Sequence, residues 1–129
     1  MKVPYPEIPT LVVAPYIPNI GVARRFVASA VGDTPRRPEL EVLTSEVVAN
    51  AVTHAGTDVT VQVRAGNGRA RVEVHDDCAE LPQLRVPGVD LRTGRGLAIV
   101  DALADAWGFW PISGNGKVVW FELVLHATP

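Results

Sequence analysis

The chain has 129 residues, 47% of them hydrophobic, and a formal charge of −2. That length fits one domain with an ordinary buried core. With 12 basic against 14 acidic residues it lacks the positive footprint of a nucleic-acid binder, and no apolar run is long enough to span a membrane. A single cysteine forbids an internal disulfide and three scattered histidines share no zinc-ligand spacing, so a cytoplasmic setting is expected and a zinc site is not.

Residues 1–8 are proline-rich, lack the apolar core of a signal peptide and are expected to be loosely held. Leu11–Ala14 reads as an edge strand closed by Pro15 and Pro18. Ile20–Val31 reads as a helix bearing Arg24 and Arg25, which present either a solvated face or a contact with a partner or a second copy. Gly32-Asp33-Thr34-Pro35 breaks it. Pro38 suits the first turn of a helix running to His54, with Gly56 as its stop and Leu40, Leu43, Val47 and Ala51 as its apolar arc. Val59–Arg64 and Ala70–His75 alternate as half-buried strands around Gly66-Asn67-Gly68, a hairpin signal. Residues 79–94 hold Pro82, Pro87, Gly88 and two arginines without a clean period, and a loop that long in a compact domain is functional or disordered. A helix is expected from about Gly96 to Trp107, with Leu97, Ile99, Val100, Leu103, Ala104 and Trp107 as its apolar arc. Strands at about Gly108–Ile112 and Val118–Leu125 follow, joined through Ser113-Gly114-Asn115-Gly116. The three tryptophans read as core and sheet residues. Helices on one face of a mixed, mostly antiparallel sheet make a two-layer α/β (α+β) sandwich.

Three polar features interrupt this pattern. Glu46 and Asn50 are four residues apart on the central helix, hence one turn apart on one face, beside the apolar arc. Polar groups half-buried in this way need partners. A glutamate can orient or deprotonate a hydroxyl or a water, and an asparagine carbonyl is a hard oxygen ligand suited to Mg²⁺. The second feature is Val72-Glu73-Val74-His75-Asp76-Asp77-Cys78, a strand that runs into two acids and then a loop. A carboxylate just past a strand end is a common ligand reader. The third is Thr93-Gly94-Arg95-Gly96-Leu97, where two glycines are expected to open a helix. Glycine lets backbone N–H groups approach an anion closely, and a helix N-terminus favours negative charge.

In this order the three features resemble the N, G1 and G2 boxes of the GHKL (histidine kinase-like) ATPase superfamily. That group spans gyrase-type topoisomerases, sensor histidine kinases, large heat-shock chaperones and mismatch-repair ATPases. Glu46…Asn50-Ala51…His54 is similar to the N box, Asp76-Asp77-Cys78 to the start of G1, and Gly94-Arg95-Gly96-Leu97 to G2. Leu43–Gly56 and Gly116–Leu123 resemble the central helix and final strand of the small anti-sigma-factor serine kinases of actinobacterial type. The likeness covers roughly residues 9–125. In G1 the family continues Asp-x-Gly-x-Gly, and here Cys78 stands at the first of those glycines. Histidine kinases also need a dimerisation segment with a phosphoacceptor histidine, for which 129 residues leave no room.

The resemblance implies an ATP–Mg²⁺ site and a role for each of these residues. Asn50 would ligate Mg²⁺. Glu46 would align or deprotonate the attacking hydroxyl, or else hold water near the metal. Asp76, which occupies the family position, would accept a hydrogen bond from the adenine amino group, with Asp77 a solvated loop acid. Gly94 and Gly96 would cradle phosphates, unless they form a plain helix entry. Arg92 and Arg95 would reach the β- or γ-phosphate or remain solvated. His54 would close the N box near the phosphates or pack with a hydrogen bond. Residues 80–93 would form an ATP lid. The implied activity is a serine/threonine kinase acting on a small anti-sigma antagonist protein, with a sigma factor or that antagonist as partner and a homodimer as a further option. The alternative is a non-catalytic nucleotide-binding regulator that holds such a partner.

Overall fold

The computed structural model describes residues 7–78, 91–112, 114 and 116–126. Residues 1–6 of the expected loose segment 1–8, and residues 80–90 of the expected lid 80–93, lie outside these. Along the chain run β1 (Thr10–Val13), α1 (Asn19–Val31), α2 (Arg37–Ala55), β2 (Val59–Gly66), β3 (Arg69–Asp76), α3 (Leu91–Leu103), β4 (Ala106–Ile112) and β5 (Gly116–Val124). The strands form one sheet in the order β1-β2-β3-β5-β4, and every pairing between neighbours is antiparallel. The expected two-layer sandwich is what forms.

Local sequence accounts for most of it. Asn67 and Gly68 both take positive φ, 55° and 74°. This is the two-residue hairpin turn whose twist matches the flanking strands, and it sets Gly66 opposite Arg69. Helix α2 begins with a proline in its first turn and an acid, Glu39, near its positive end.

The sheet register sorts the side chains. Val61 faces Val74, Val63 faces Val72, Val72 faces Phe121 and Val74 faces Val119. All of these point to the helix side and all are buried, together with Leu40, Leu43, Val47 and Ala51 of α2. Each fully buried side chain of this size is worth about 1.5–3 kcal/mol relative to an exposed one. Helix α2 lies between α1 and α3 and crosses the sheet over β3, so residues on it are held against the sheet's middle.

The opposite sheet face carries no helix among the described residues and is closed by polar chemistry. The Arg71 guanidinium lies 4.0 Å from the Trp120 ring centre and 5.7 Å from that of Trp110. It donates to Glu73 at 2.9 Å and to Glu122 at 2.8 Å. Burial alone would lower the Arg71 pKa, but its hydrogen bonds to, and charge attraction with, Glu73 and Glu122 outweigh it and leave the pKa raised. Trp110 and Trp120 are thus sheet residues, as expected.

One boundary differs from expectation. The third helix begins at Leu91 and ends at Leu103, rather than running from Gly96 to Trp107. Its end is fixed by strand pairing. The Asp105 N–H donates to the Glu122 carbonyl at 3.0 Å, which draws the chain into β4. Trp107 then stands opposite Phe121 in the sheet and donates its indole N–H to Asp101 at 2.9 Å. Tertiary pairing overrides a helical period that otherwise reads through Trp107.

Candidate functional site

Glu46 and Asn50 lie on the C-terminal half of α2, both half-buried, next to the buried Val47 and Ala51. The helix holds them one turn apart because apolar side chains on the adjoining arc fix its rotation against the sheet. No ion pair among the described residues involves Glu46. His54 is exposed in the last turn of the helix, so the packed alternative for it does not hold.

Asp76 ends β3 on the helix-facing side, in line with Val72 and Val74. It is 2% exposed. Its Oδ1 accepts the Cys78 N–H at 2.9 Å and a proton of Lys117 Nζ at 2.9 Å. Its Oδ2 is buried and has no hydrogen-bond partner among the described residues. Buried carboxylate oxygens are almost always satisfied, so this one is a candidate acceptor for a ligand donor. Asp77 is exposed, and its N–H donates to Thr57 Oγ1 at 3.3 Å, which ties the exit of β3 to the loop after α2. The structure separates the two acids: Asp76 points inward and Asp77 faces solvent.

Gly94 and Gly96 lie inside α3, after its start at Leu91, and so do not open it. The expected glycine-opened helix mouth is corrected accordingly. Glycine in a helix costs about 1 kcal/mol relative to alanine. The leucines and arginines around these two are good helix formers, and they carry the helix through. Arg92 and Arg95 fall in the same turns, and of the expected lid only residues 91–93 are described, as helix. Leu97, at the end of the glycine motif, is 2% exposed and anchors α3 beneath this region.

Sequence reasoning missed Lys117. It stands opposite Asp76 in the β3–β5 register and is 5% exposed. The available signal was a lysine set between a glycine and the run Val118-Val119-Trp120-Phe121, in a chain with only two lysines. Arg24, a candidate for a partner surface, donates to Ser45 Oγ at 3.2 Å within the fold, whereas Arg25 is exposed. A cleft of about 370 Å³ lies beside the β2–β3 hairpin, lined by Arg64, Asn67, Arg69, Arg71 and Glu122. It sits at the far end of β3 from Asp76, and its Arg71 and Glu122 are already bonded to each other. Among the described residues no cluster of three or more His, Cys, Asp or Glu stands ready to hold a metal ion, and no helix is long and apolar enough to cross a membrane.

An antiparallel sheet layered with helices, with a half-buried Glu–Asn pair on the central helix and a buried aspartate at a strand end, defines an α+β sandwich with a candidate site at that strand end. The profile of the histidine kinase-like ATPase domain matches residues 18–123, and the chain belongs to that family. Comparison with curated proteins returned no match. Twenty solved chains match. Full-length ShkA, crystallised in complex with AMPPNP, is similar with TM-score 0.57 and 19% identity, over 95% of this chain and 32% of that one. The Acinetobacter baumannii histidine kinase AdeS gives TM-score 0.49 and 15% identity, over 70% of this chain and 48% of that one. The chain thus spans only part of either protein, and the likeness to ShkA bears on the fold.

Proposed function

We propose that this domain binds ATP with Mg²⁺ and acts as a regulatory serine/threonine kinase of the anti-sigma-factor type. The observation that carries the nucleotide reading is the buried, unpartnered Oδ2 of Asp76. It is an acceptor in need of a donor, and the adenine amino group supplies one. A hydrogen bond to a charged group is worth about 1.5–3 kcal/mol. ShkA, a member of the same fold, was solved with an ATP analogue bound.

Asn50 has the oxygen that would hold Mg²⁺, which takes few protein ligands and keeps several waters. When bound, the ion would neutralise phosphate charge. Glu46, unclaimed by any described cation, would take the proton from a serine or threonine hydroxyl of a partner protein. That oxygen attacks the γ-phosphorus, the bond from phosphorus to the β–γ bridging oxygen breaks, and ADP leaves. Gly94 and Gly96 weaken the first turns of α3, so those turns can yield backbone N–H groups to the phosphates at low cost. The partner fitting this reading is a small anti-sigma antagonist protein, with a sigma factor as the regulated protein and a cytoplasmic setting.

A second reading keeps the nucleotide but not the transfer: a regulator that holds its partner in a nucleotide-dependent way. The observation favouring it is Cys78 itself, which stands at the first glycine of the G1 motif this chain resembles and narrows the backbone conformations open at that position. Calorimetry with ATP and Mg²⁺, together with a thermal melt, tests binding, and ligand linkage predicts a raised melting point. No heat and no shift at millimolar ATP would end both readings. Radiolabelled ATP with candidate antagonist proteins then separates them. Acid-stable label that disappears in Glu46→Gln supports the kinase, and tight ATP binding without label leaves the regulator.

A further inference from the structure

Lys117 and Asp76 form a buried ion pair, with side chains 7% and 1% exposed and Nζ–Oδ1 at 2.9 Å. The next two helix-facing pairs of the same ladder, Val74–Val119 and Val72–Phe121, are apolar. A buried ion pair rarely stabilises more than an apolar pair of the same size, so packing does not explain this one. The sequence is also shaped around it. A Cβ on Gly116 would come within 2.7 Å of the Asp76 carbonyl oxygen, so only glycine lets β5 approach the end of β3 closely enough to deliver Lys117. Nζ also donates to the Cys78 carbonyl oxygen at 3.5 Å. With Lys117 and the Cys78 N–H both on Oδ1, the carboxylate is held in one orientation and offers a single free acceptor, Oδ2.

Resting on the ATP reading above, we propose that Lys117 is the positioning residue that sets purine selectivity. One free carboxylate oxygen matches the single exocyclic amine of a 6-aminopurine. Guanine presents two parallel N–H donors, at N1 and on N2, and satisfying both requires both oxygens of a carboxylate. By occupying Oδ1, Lys117 withdraws the second acceptor and disfavours guanine.

The test is titration calorimetry of ATP and GTP, with Mg²⁺, against wild type, Lys117→Met and Lys117→Arg, each checked by circular dichroism and melting. Wild type should favour ATP over GTP by about tenfold or more, the worth of one hydrogen bond to a charge. Lys117→Met vacates one lone pair of Oδ1, the other still accepting the Cys78 N–H, so the ATP:GTP ratio should fall to within about threefold of unity, about 0.7 kcal/mol. Lys117→Arg keeps the countercharge, but its fork engages both carboxylate oxygens, so ATP affinity should drop about tenfold or more with no gain for GTP. If wild type binds neither nucleotide, the ATP reading falls and takes this inference with it. If wild type binds ATP and neither variant changes the ATP:GTP ratio or the ATP affinity, the role of Lys117 alone is overturned. Should Lys117→Met fail to fold, Lys117→Arg decides: retained ATP affinity overturns the proposal and its loss supports it.

Discussion

The two ends of α2 use their polar residues in opposite ways. At its N-terminal end Arg36 donates to Glu39 at 2.8 Å, to Asp105 at 2.9 Å and to the Val124 carbonyl at 3.1 Å. Asp105 in turn accepts the Val124 N–H at 2.6 Å, so one arginine ties the helix to the β4–β5 edge. At the C-terminal half, Glu46 and Asn50 sit half-buried, and Glu46 has no described ion-pair partner. One end is electrostatically closed and the other is left open. The difference teaches that a polar group's commitment, more than its identity, separates scaffold from site on the same helix.

Substitutions along α2 would break or sharpen this contrast. The largest effect is expected at the open end. Glu46→Gln should slow phosphoryl transfer by roughly 10²–10⁴-fold, as read by single-turnover label transfer. Its unfolding free energy should stay within about 0.5 kcal/mol of wild type. A comparable loss of stability would make Glu46 part of the scaffold. Leu40→Ala, in the closed half, should do the reverse, lowering the unfolding free energy in urea by about 2–5 kcal/mol while the folded fraction retains its ATP affinity. Asn50→Ala should weaken Mg²⁺-dependent ATP binding by about tenfold or more, corresponding to about 1.4 kcal/mol, with an unchanged melting point in the absence of nucleotide. Calorimetry with and without Mg²⁺ checks this, and an equal loss in both would mean that Asn50 does not act through the ion.

Two smaller effects belong to the closed end. Arg36→Ala removes three partly exposed hydrogen bonds and should cost about 1–2 kcal/mol of stability, with ATP affinity unaltered. Glu39 is the mildest case. Its hydrogen bond from Arg36 holds its carboxyl below the usual range. A depressed folded-state pKa means the contribution is complete above the unfolded value of about 4.3 and is lost as pH falls through the folded value. Glu39→Gln should therefore lower stability slightly in the neutral region, flatten the acid limb of the stability–pH curve and meet the wild-type curve at low pH. A mutant curve parallel to wild type down to low pH would show that Glu39 is not linked to folding.

Most of the architecture was legible because local signals agreed with one another. Asn67-Gly68 fixed a hairpin, Pro38 and Gly56 bracketed α2, and alternating valines gave β2 and β3 their inward faces. The acid that closes β3 was legible in position, since the alternating valines run up to Asp76, whereas the choice between Asp76 and Asp77 came from the resemblance. What sequence could not supply came from contacts distant along the chain. The Lys117–Asp76 pair spans 41 positions and exists only because β5 inserts beside β3. The end of α3 was missed because the pairing of Trp107 with Phe121 outbids a helical period, and its start because good helix formers mask the glycines. The closed end of α2 was equally invisible, since Arg36 meets Asp105 and Val124 across 69 and 88 positions.

The backbone of Cys78 is bonded to the aspartate that ends β3, and this residue is the chain's one thiol. The protein therefore comes with a built-in labelling position. A thiol-reactive fluorophore or nitroxide attached to the unmutated chain would sit beside Asp76 and nowhere else. Occupancy of that corner by any small molecule could then be followed optically or by spin resonance, in a sample whose sequence has not been altered.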